Sequence, residues 1–403
     1  MGYYFFMNKK TAAGKSPNIL LLIVIYGDMM LYGYLNSMKG VTFPLIKNSF
    51  RASHGDQGLM VAMISFTAVI FCIISGVFMS RFGLKKTIIT GFILIGLGMA
   101  AIFFAAGFWM AAALYLIIQS GFGFFEIGLN GMGVRIFTVR SGLMLSLLHF
   151  FYGLGAITGP RFAGLVVNRF SLSWQHIYPL ALIPVFIMMI ISLIARYPGA
   201  SEGKLTAVKE ISFFDALREP MVWTFGVILG LSGSIDGGTI AWSGLFLQDV
   251  YGLDPSTAGA LFVSSFFIVY TLSRLLSGFV IEKFGYINSL LCAALATVAL
   301  YIAGFSLGRR GIWILPLTGA FIAVLWPTIL AISVGVFREK AQTMSSAMIG
   351  IAFTVSGIIQ YGFGLTNRYI GEAWGYHSCV IYSSLLVVML FRLKKSCVRN
   401  CAV

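Results

Sequence analysis

Charge is what this chain of 403 residues has least of. Only 10% of its residues are charged, and just 13 are acidic. A soluble protein of this length carries roughly 25% charged residues, so a globule surrounded by water is excluded. Histidine is rare, at four residues. The five cysteines, Cys72, Cys292, Cys379, Cys397 and Cys401, show neither metal-ligand spacing nor a disulfide framework. No nucleophile–base pair stands out, so the sequence points away from an enzyme and calls for no cofactor and no metal. Long polar connections are scarce too. That leaves no room for the signalling domain a non-transporting membrane receptor would carry.

What the chain does have is apolar length, with 59% of its residues hydrophobic. A spanning helix needs about 20 mostly apolar residues. Twelve such runs are legible, at roughly 18–46, 56–80, 87–107, 109–137, 141–167, 176–196, 220–247, 256–281, 287–308, 311–336, 343–367 and 374–393. The expected fold is an all-α, multi-pass membrane protein surrounded by a lipid bilayer. The N-terminal Lys9, Lys10 and Lys15 before an apolar run suggest a signal peptide, but that run is too long, so it is read as retained. The stretch 197–219 is the longest polar connection. It divides the chain into an N-terminal lobe (1–196), a linker (197–219) and a C-terminal lobe with a basic tail (220–403).

A second feature supports that division. Ser75-Gly76-Val77-Phe78-Met79-Ser80-Arg81-Phe82-Gly83 is echoed by Ser277-Gly278-Phe279-Val280-Ile281-Glu282-Lys283-Phe284-Gly285. Two such turns half a chain apart indicate internal duplication. With the N-terminus in the cytoplasm, 19 of the 28 Lys and Arg fall on the cytoplasmic side and seven on the other. This is the bias that orients membrane proteins, and it predicts both termini and both repeat turns in the cytoplasm. It also accounts for the net charge of +15 without nucleic acid. A monomer in the cell (inner) membrane is the expectation.

Ionisable groups inside spanning helices cost roughly 2.5–3.5 kcal/mol each on insertion scales and commonly face a bundle interior or an aqueous path. Span 1 carries Asp28, Tyr32, Asn36 and Lys39 on one helical stripe. Span 4 carries Glu126 and Asn130, four apart and among glycines. Span 5 has His149 and Tyr152. Span 7 has Asp236 with Trp242 nearby, and span 8 has Tyr270 and Arg274. Span 10 has Trp326 and span 11 Ser356 and Gln360. Bland readings stand beside the functional ones. Glu126 could pair with Arg135 or Arg161, Lys39 could be a solvated rim, His149 could be a packing residue, and Asp236 with Arg274 could be a static ion pair.

The whole-chain pattern resembles the major facilitator superfamily. The resemblance rests on twelve spans, the six-plus-six split and the turns after spans two and eight. The first turn, Gly76 to Lys86, matches that family's Gly-x-x-x-Asp-Arg-x-Gly-x-basic-basic element, with Ser80 in place of the acid. Gly-x-Gly-x-x-Glu-x-x-x-Asn in span 4, the run 148–156 in span 5, 233–236 with Trp242 in span 7 and 273–278 in span 8 are similar to the fucose/glucose–proton symporter branch. The resemblance implies two pseudo-symmetric six-helix lobes, with the first helix of each three-helix repeat (spans 1, 4, 7 and 10) lining a central cavity. It further implies alternating access and transport of a hexose or related small solute with a proton, or with sodium.

On that reading Glu126, Asp236 and Asp28 are the proton-coupling candidates. Asn36, Lys39, Asn130, His149, Trp242, Arg274, Trp326 and Gln360 are the substrate candidates. Gly76, Ser80, Arg81, Gly83, Gly278, Glu282, Lys283 and Gly285 form the cytoplasmic gate. Lys39, Arg161 and Arg274 make the path more cationic than a neutral sugar needs, so a transporter or exporter of small organic anions, including an acidic sugar, remains open.

Overall fold

The computed structural model describes residues 19–137, 141–197, 213–337 and 340–400. Within them the chain runs α1 (Ile19–Ser37), α2 (Lys39–Ser49), α3 (His54–Phe82), α4 (Leu84–Ile102), α5 (Phe108–Ile136), α6 (Ser141–Asn168) and α7 (Ile177–Ile194). After the short α8 (Phe213–Ala216) come α9 (Pro220–Tyr251), α10 (Ala260–Phe284), α11 (Tyr286–Ser306), α12 (Thr318–Phe337), α13 (Ala341–Tyr369), α14 (Trp374–His377) and α15 (Cys379–Asn400). The first apolar run is thus two helices meeting at Met38, and each of the other eleven runs forms one long helix. Eleven helices among the described residues are apolar and long enough to cross a membrane, with α1 and α2 counted as one. The long helix outside that set is α9, at 32 residues, diluted by Ser232, Ser234, Asp236, Thr239 and Ser243. Its polar groups are turned inward: all but Asp236 are almost fully buried.

Local chemistry fixes the helix ends. Ser53 and Asp56 form a reciprocal cap at the start of α3. Pro220 opens α9, where its missing N–H costs nothing. The two repeat turns prove to be single-residue hinges of matching geometry. Gly83 joins α3 to α4 at φ 85° and ψ 167°, and Gly285 joins α10 to α11 at φ 78° and ψ 155°. Only glycine occupies that region readily. Each hinge N–H closes the preceding helix, Gly83 onto the Met79 carbonyl (3.0 Å) and Gly285 onto the Ile281 carbonyl (2.8 Å). The duplication read from sequence is therefore a duplication of backbone conformation.

Two six-helix halves result, one built from α1–α7 and the other from α9–α15. Large apolar side chains point outward along the helices, among them Ile70, Ile93, Ile183, Ile187, Leu276, Ile302, Ile358 and Ile381. In water such a belt would be costly; in a bilayer it is the lipid-facing surface.

The halves meet along α3 with α13, α6 with α10, and α2 with α9. At the end of the bundle away from the glycine hinges, a Cβ on Gly58 would lie 2.8 Å from the Gly364 Cα. Asn48 Nδ2 donates to Gln248 Oε1 (3.0 Å), and Ser256 Oγ donates to Asn168 Oδ1 (2.9 Å). His54 Nε2 lies 3.7 Å from Asp249 Oδ2 and 3.8 Å from Glu372 Oε1, two carboxylates of the other half. Nearer the middle, Ser264 Oγ donates to the Ile157 carbonyl (2.8 Å).

Candidate functional site

Between the halves lies a cavity of about 150 Å³. It belongs to the size class of an engineered cavity that holds a benzene ring. Its wall comes from α1 and α2 (Tyr32, Asn36, Lys39, Phe43), α3 (Ser65, Ala68, Cys72), α5 (Gln119, Phe122, Glu126), α9 (Gly233, Gly237, Ala241) and α13 (Phe353, Ser356, Gln360). Spans 1, 4 and 7 line it as the resemblance implies. Spans 2 and 11 join them, because α3 and α13 are packed together here. Span 10 stands one layer back: Trp326 packs against Phe353 (centroids 6.2 Å apart) and faces Gly233, both of which are on the wall.

Most of the polar chemistry sits in the N-terminal half and is wired together. Glu126 accepts a hydrogen bond from Asn130 Nδ2 (3.0 Å) and shares the cavity wall with Tyr32. Asn130 Nδ2 also reaches the Glu126 carbonyl at 2.7 Å, a consequence of their four-residue spacing. No Arg bonds Glu126. Arg161 is exposed, Arg274 stands only within electrostatic reach, and the side chain of Arg135 lies outside the described residues. A second chain runs from Lys39 Nζ to Asn36 Oδ1 (3.0 Å), and from Asn36 Nδ2 to the Tyr152 hydroxyl (2.7 Å). Tyr32 and Tyr152 meet edge to face with centroids 5.3 Å apart.

The C-terminal half contributes a tighter cluster. Trp242 Nε1 donates to Gln360 Oε1 (2.8 Å), and Gln360 Nε2 donates to the Ser234 carbonyl (3.1 Å). Gln360 is on the cavity wall, whereas Trp242 is buried behind it. Asp236 lies between the wall residues Gly233 and Gly237 in sequence. Its Oδ1 has no hydrogen-bond partner, and it is within electrostatic reach of Arg274 and Lys39. It does not form the ion pair with Arg274 that the sequence left open: neither of its carboxylate oxygens comes within 4.0 Å of the guanidinium. Arg274 instead lies over the Tyr270 ring, 4.9 Å from its centroid, with His149 in its field.

Asp28 is set apart from the cavity. It is fully buried, and neither carboxylate oxygen has a hydrogen-bond partner among the described residues. Among the gate residues Ser80 is exposed and bonds the Val77 carbonyl (2.8 Å), and Arg81 and Lys283 are exposed. Gly76 has open space around it. Gly278 and the side chain of Glu282 lie outside the described residues. No group of three or more metal-ligating side chains occurs among the described residues.

Three polar or thiol side chains on the wall carried no weight in the sequence reading: Gln119, Ser65 and Cys72. Gln119 precedes Glu126 by seven residues and shares its face of α5, and Ser65 and Cys72 have the same spacing on α3. That seven-residue repeat of polar or small groups in apolar helices was the available signal.

A cavity between two halves of a membrane-spanning bundle, with a carboxyl, an ammonium and several amides on an otherwise apolar wall, is the construction of a solute transporter. The chain belongs to the Major Facilitator Superfamily, whose model matches residues 29–361; it is a transporter of that family and not an enzyme. The chain is 24% identical to the L-fucose-proton symporter of Escherichia coli (strain K12) over 394 residues, covering 87% of this chain and 90% of that one. It is 21% identical to a glucose/galactose transporter of Brucella abortus biovar 1 (strain 9-941), covering 86% of each. The crystal structure of the E. coli fucose:proton symporter superposes with a TM-score of 0.64 at 19% identity, covering 92% of this chain and 98% of that one.

Proposed function

We propose that this protein is a proton-coupled secondary transporter of a monosaccharide-sized solute, a hexose or a related sugar, working by alternating access. The observation that carries the reading is Glu126. It is a carboxyl on the wall of the cavity, bonded by Asn130, with no described basic side chain within 4.0 Å of it. Such a group can take and give up a proton where the solute binds. The names of the relatives, a fucose–proton symporter and a glucose/galactose transporter, support both the coupling and the substrate class. Asp236 is the second coupling candidate, because its free oxygen faces cations in the other half and in its own. Asp28, which is not part of the wall, would act through the packing of α1 on α7.

In this reading Asn36, Lys39 and Gln360 touch the solute, and Asn130, Trp242 and Trp326 hold the groups that do. Residues 1–196 and 220–403 are the two moving lobes, joined by 197–219. Both termini and the hinges at Gly83 and Gly285 face the cytoplasm, and the chain resides in the cell membrane. The exposed Ser80, Arg81 and Lys283 would then meet partners at that end only when the lobes close there.

The test is uptake into proteoliposomes. With an inward proton gradient, radiolabelled hexoses should accumulate, and a protonophore should abolish the accumulation. Accumulation that follows sodium and ignores the protonophore would refute proton coupling. No uptake of any monosaccharide would refute the substrate class.

A further inference from the structure

The ammonium group of Lys39 is the one feature of the cavity that a neutral sugar leaves unexplained. It lines the cavity and donates to Asn36 Oδ1 at 3.0 Å. Asn36 is itself fixed by its bond to the Tyr152 hydroxyl, so the Lys39 head group is held in place. An ammonium has three N–H donors, and only this one bond to it occurs among the described residues. No carboxylate oxygen of the described residues lies within 4.0 Å of it. Glu126 is bonded by Asn130, and Asp236 acts on Lys39 only at longer range. A cation in the middle of a membrane bundle, positioned by a network and lacking a counter-ion at contact distance, is costly unless something pairs with it.

We infer that the missing counter-ion is the carboxylate of the solute, and that the substrate is a sugar acid. The rest of the wall fits the remainder of such a molecule. Gln119 and Ser356 face the cavity with no hydrogen bond to other described residues, so their donors and acceptors are available to hydroxyl groups. Phe353 offers an apolar surface to the carbon face of a ring. Gln360 is different, since both ends of its amide are already bonded to Trp242 and Ser234. The solute carboxylate would thus lie at the α2 side of the cavity and its hydroxyls toward α5 and α13.

This inference rests on the sugar-transport reading, and the experiment separates the two. The purified full-length protein in nanodiscs is titrated calorimetrically with matched pairs at one pH and salt concentration: glucose with glucuronate, galactose with galacturonate, and lactate as a carboxylate of smaller size. At least one uronate should bind about tenfold or more tightly than its neutral hexose and more tightly than lactate. In Lys39→Met the acid-to-neutral affinity ratio should fall to about one, and Lys39→Arg should recover part of it, since a cation returns without the same geometry. Thermal melting of both variants identifies any loss of fold, and the wild-type comparison needs no variant. A neutral hexose that binds as tightly as its uronate, or a folded Lys39→Met that keeps the acid preference, would overturn the inference and leave sugar transport standing. Lactate binding as well as the uronate would overturn the sugar part of it. Binding of no monosaccharide, acidic or neutral, would sink the transport reading and this inference together.

Discussion

Glu126→Gln should uncouple the transporter. In proteoliposomes with a pH step of one unit, one proton per solute sustains about tenfold accumulation, because one pH unit corresponds to about 1.4 kcal/mol. The variant should bring the solute to equal concentration on both sides and no further, while exchange of labelled for unlabelled solute continues. The reasoning is structural. Glutamine keeps the shape of the glutamate, so the cavity wall around position 126 stays filled as it is now. Its amide cannot release a proton, so the cavity can bind and turn over solute without being driven. The bond from Asn130 Nδ2, at 3.0 Å, needs an acceptor, and the Gln carbonyl oxygen supplies one. A variant that still accumulates solute in response to the gradient would move the coupling to another carboxyl, with Asp236 the first to test.

The second large effect is expected far from any charge. Gly155→Val should destabilise the N-terminal half by about 3 kcal/mol, the upper part of the usual range for overpacking. Gly155 in α6 faces α1 so closely that a Cβ would overlap the Met30 carbonyl oxygen and lie 2.7 Å from the Tyr34 amide. The reciprocal contact is Gly33 in α1 against the Tyr152 carbonyl in α6. Both obstacles are backbone, so no side chain can rotate out of the way, and the two helices must separate. Small residues at such crossings are how membrane helices gain close packing without a hydrophobic driving force. Separation would also pull Tyr152 from Asn36 and so disturb the cavity. Thermal melting in detergent reads this directly. Gly96→Ala is the control, since a Cβ there meets nothing within 4 Å. A Val variant that melts with the control would show that α1 and α6 are not held as described.

The sequence made some of this legible and hid the rest for identifiable reasons. Helix length and apolarity set the twelve runs, and the bilayer leaves few other ways to satisfy the backbone. The echo at 75–83 and 277–285 pointed to matched turns, and the two glycines proved to share one backbone conformation. Contacts within one helix were also readable: Glu126 with Asn130 is an i, i+4 pair, and the bond is there. Contacts between helices were not. Asp236 and Arg274 sit on suitable faces of α9 and α10, yet face patterns say nothing of distance across a cavity. Trp242 and Gln360 both read as solute contacts; they bond each other, and of the two only Gln360 reaches the cavity wall. Asp28 shares an azimuth with Tyr32 and Asn36, but a helical stripe carries no information about depth. The cavity wall includes Tyr32 and Asn36 and not Asp28 one turn further along.

The position of Cys72 turns the cavity into something a chemist can titrate. It lies on the wall from α3, half-buried, whereas Cys379 is buried and Cys292 is on the exterior. With the other four cysteines replaced by Ser, a small methanethiosulfonate reagent should modify this single thiol. A bound solute should slow the modification in proportion to occupancy. A labelling rate then becomes a binding isotherm, measured without a transport assay and without knowing beforehand which solute belongs there.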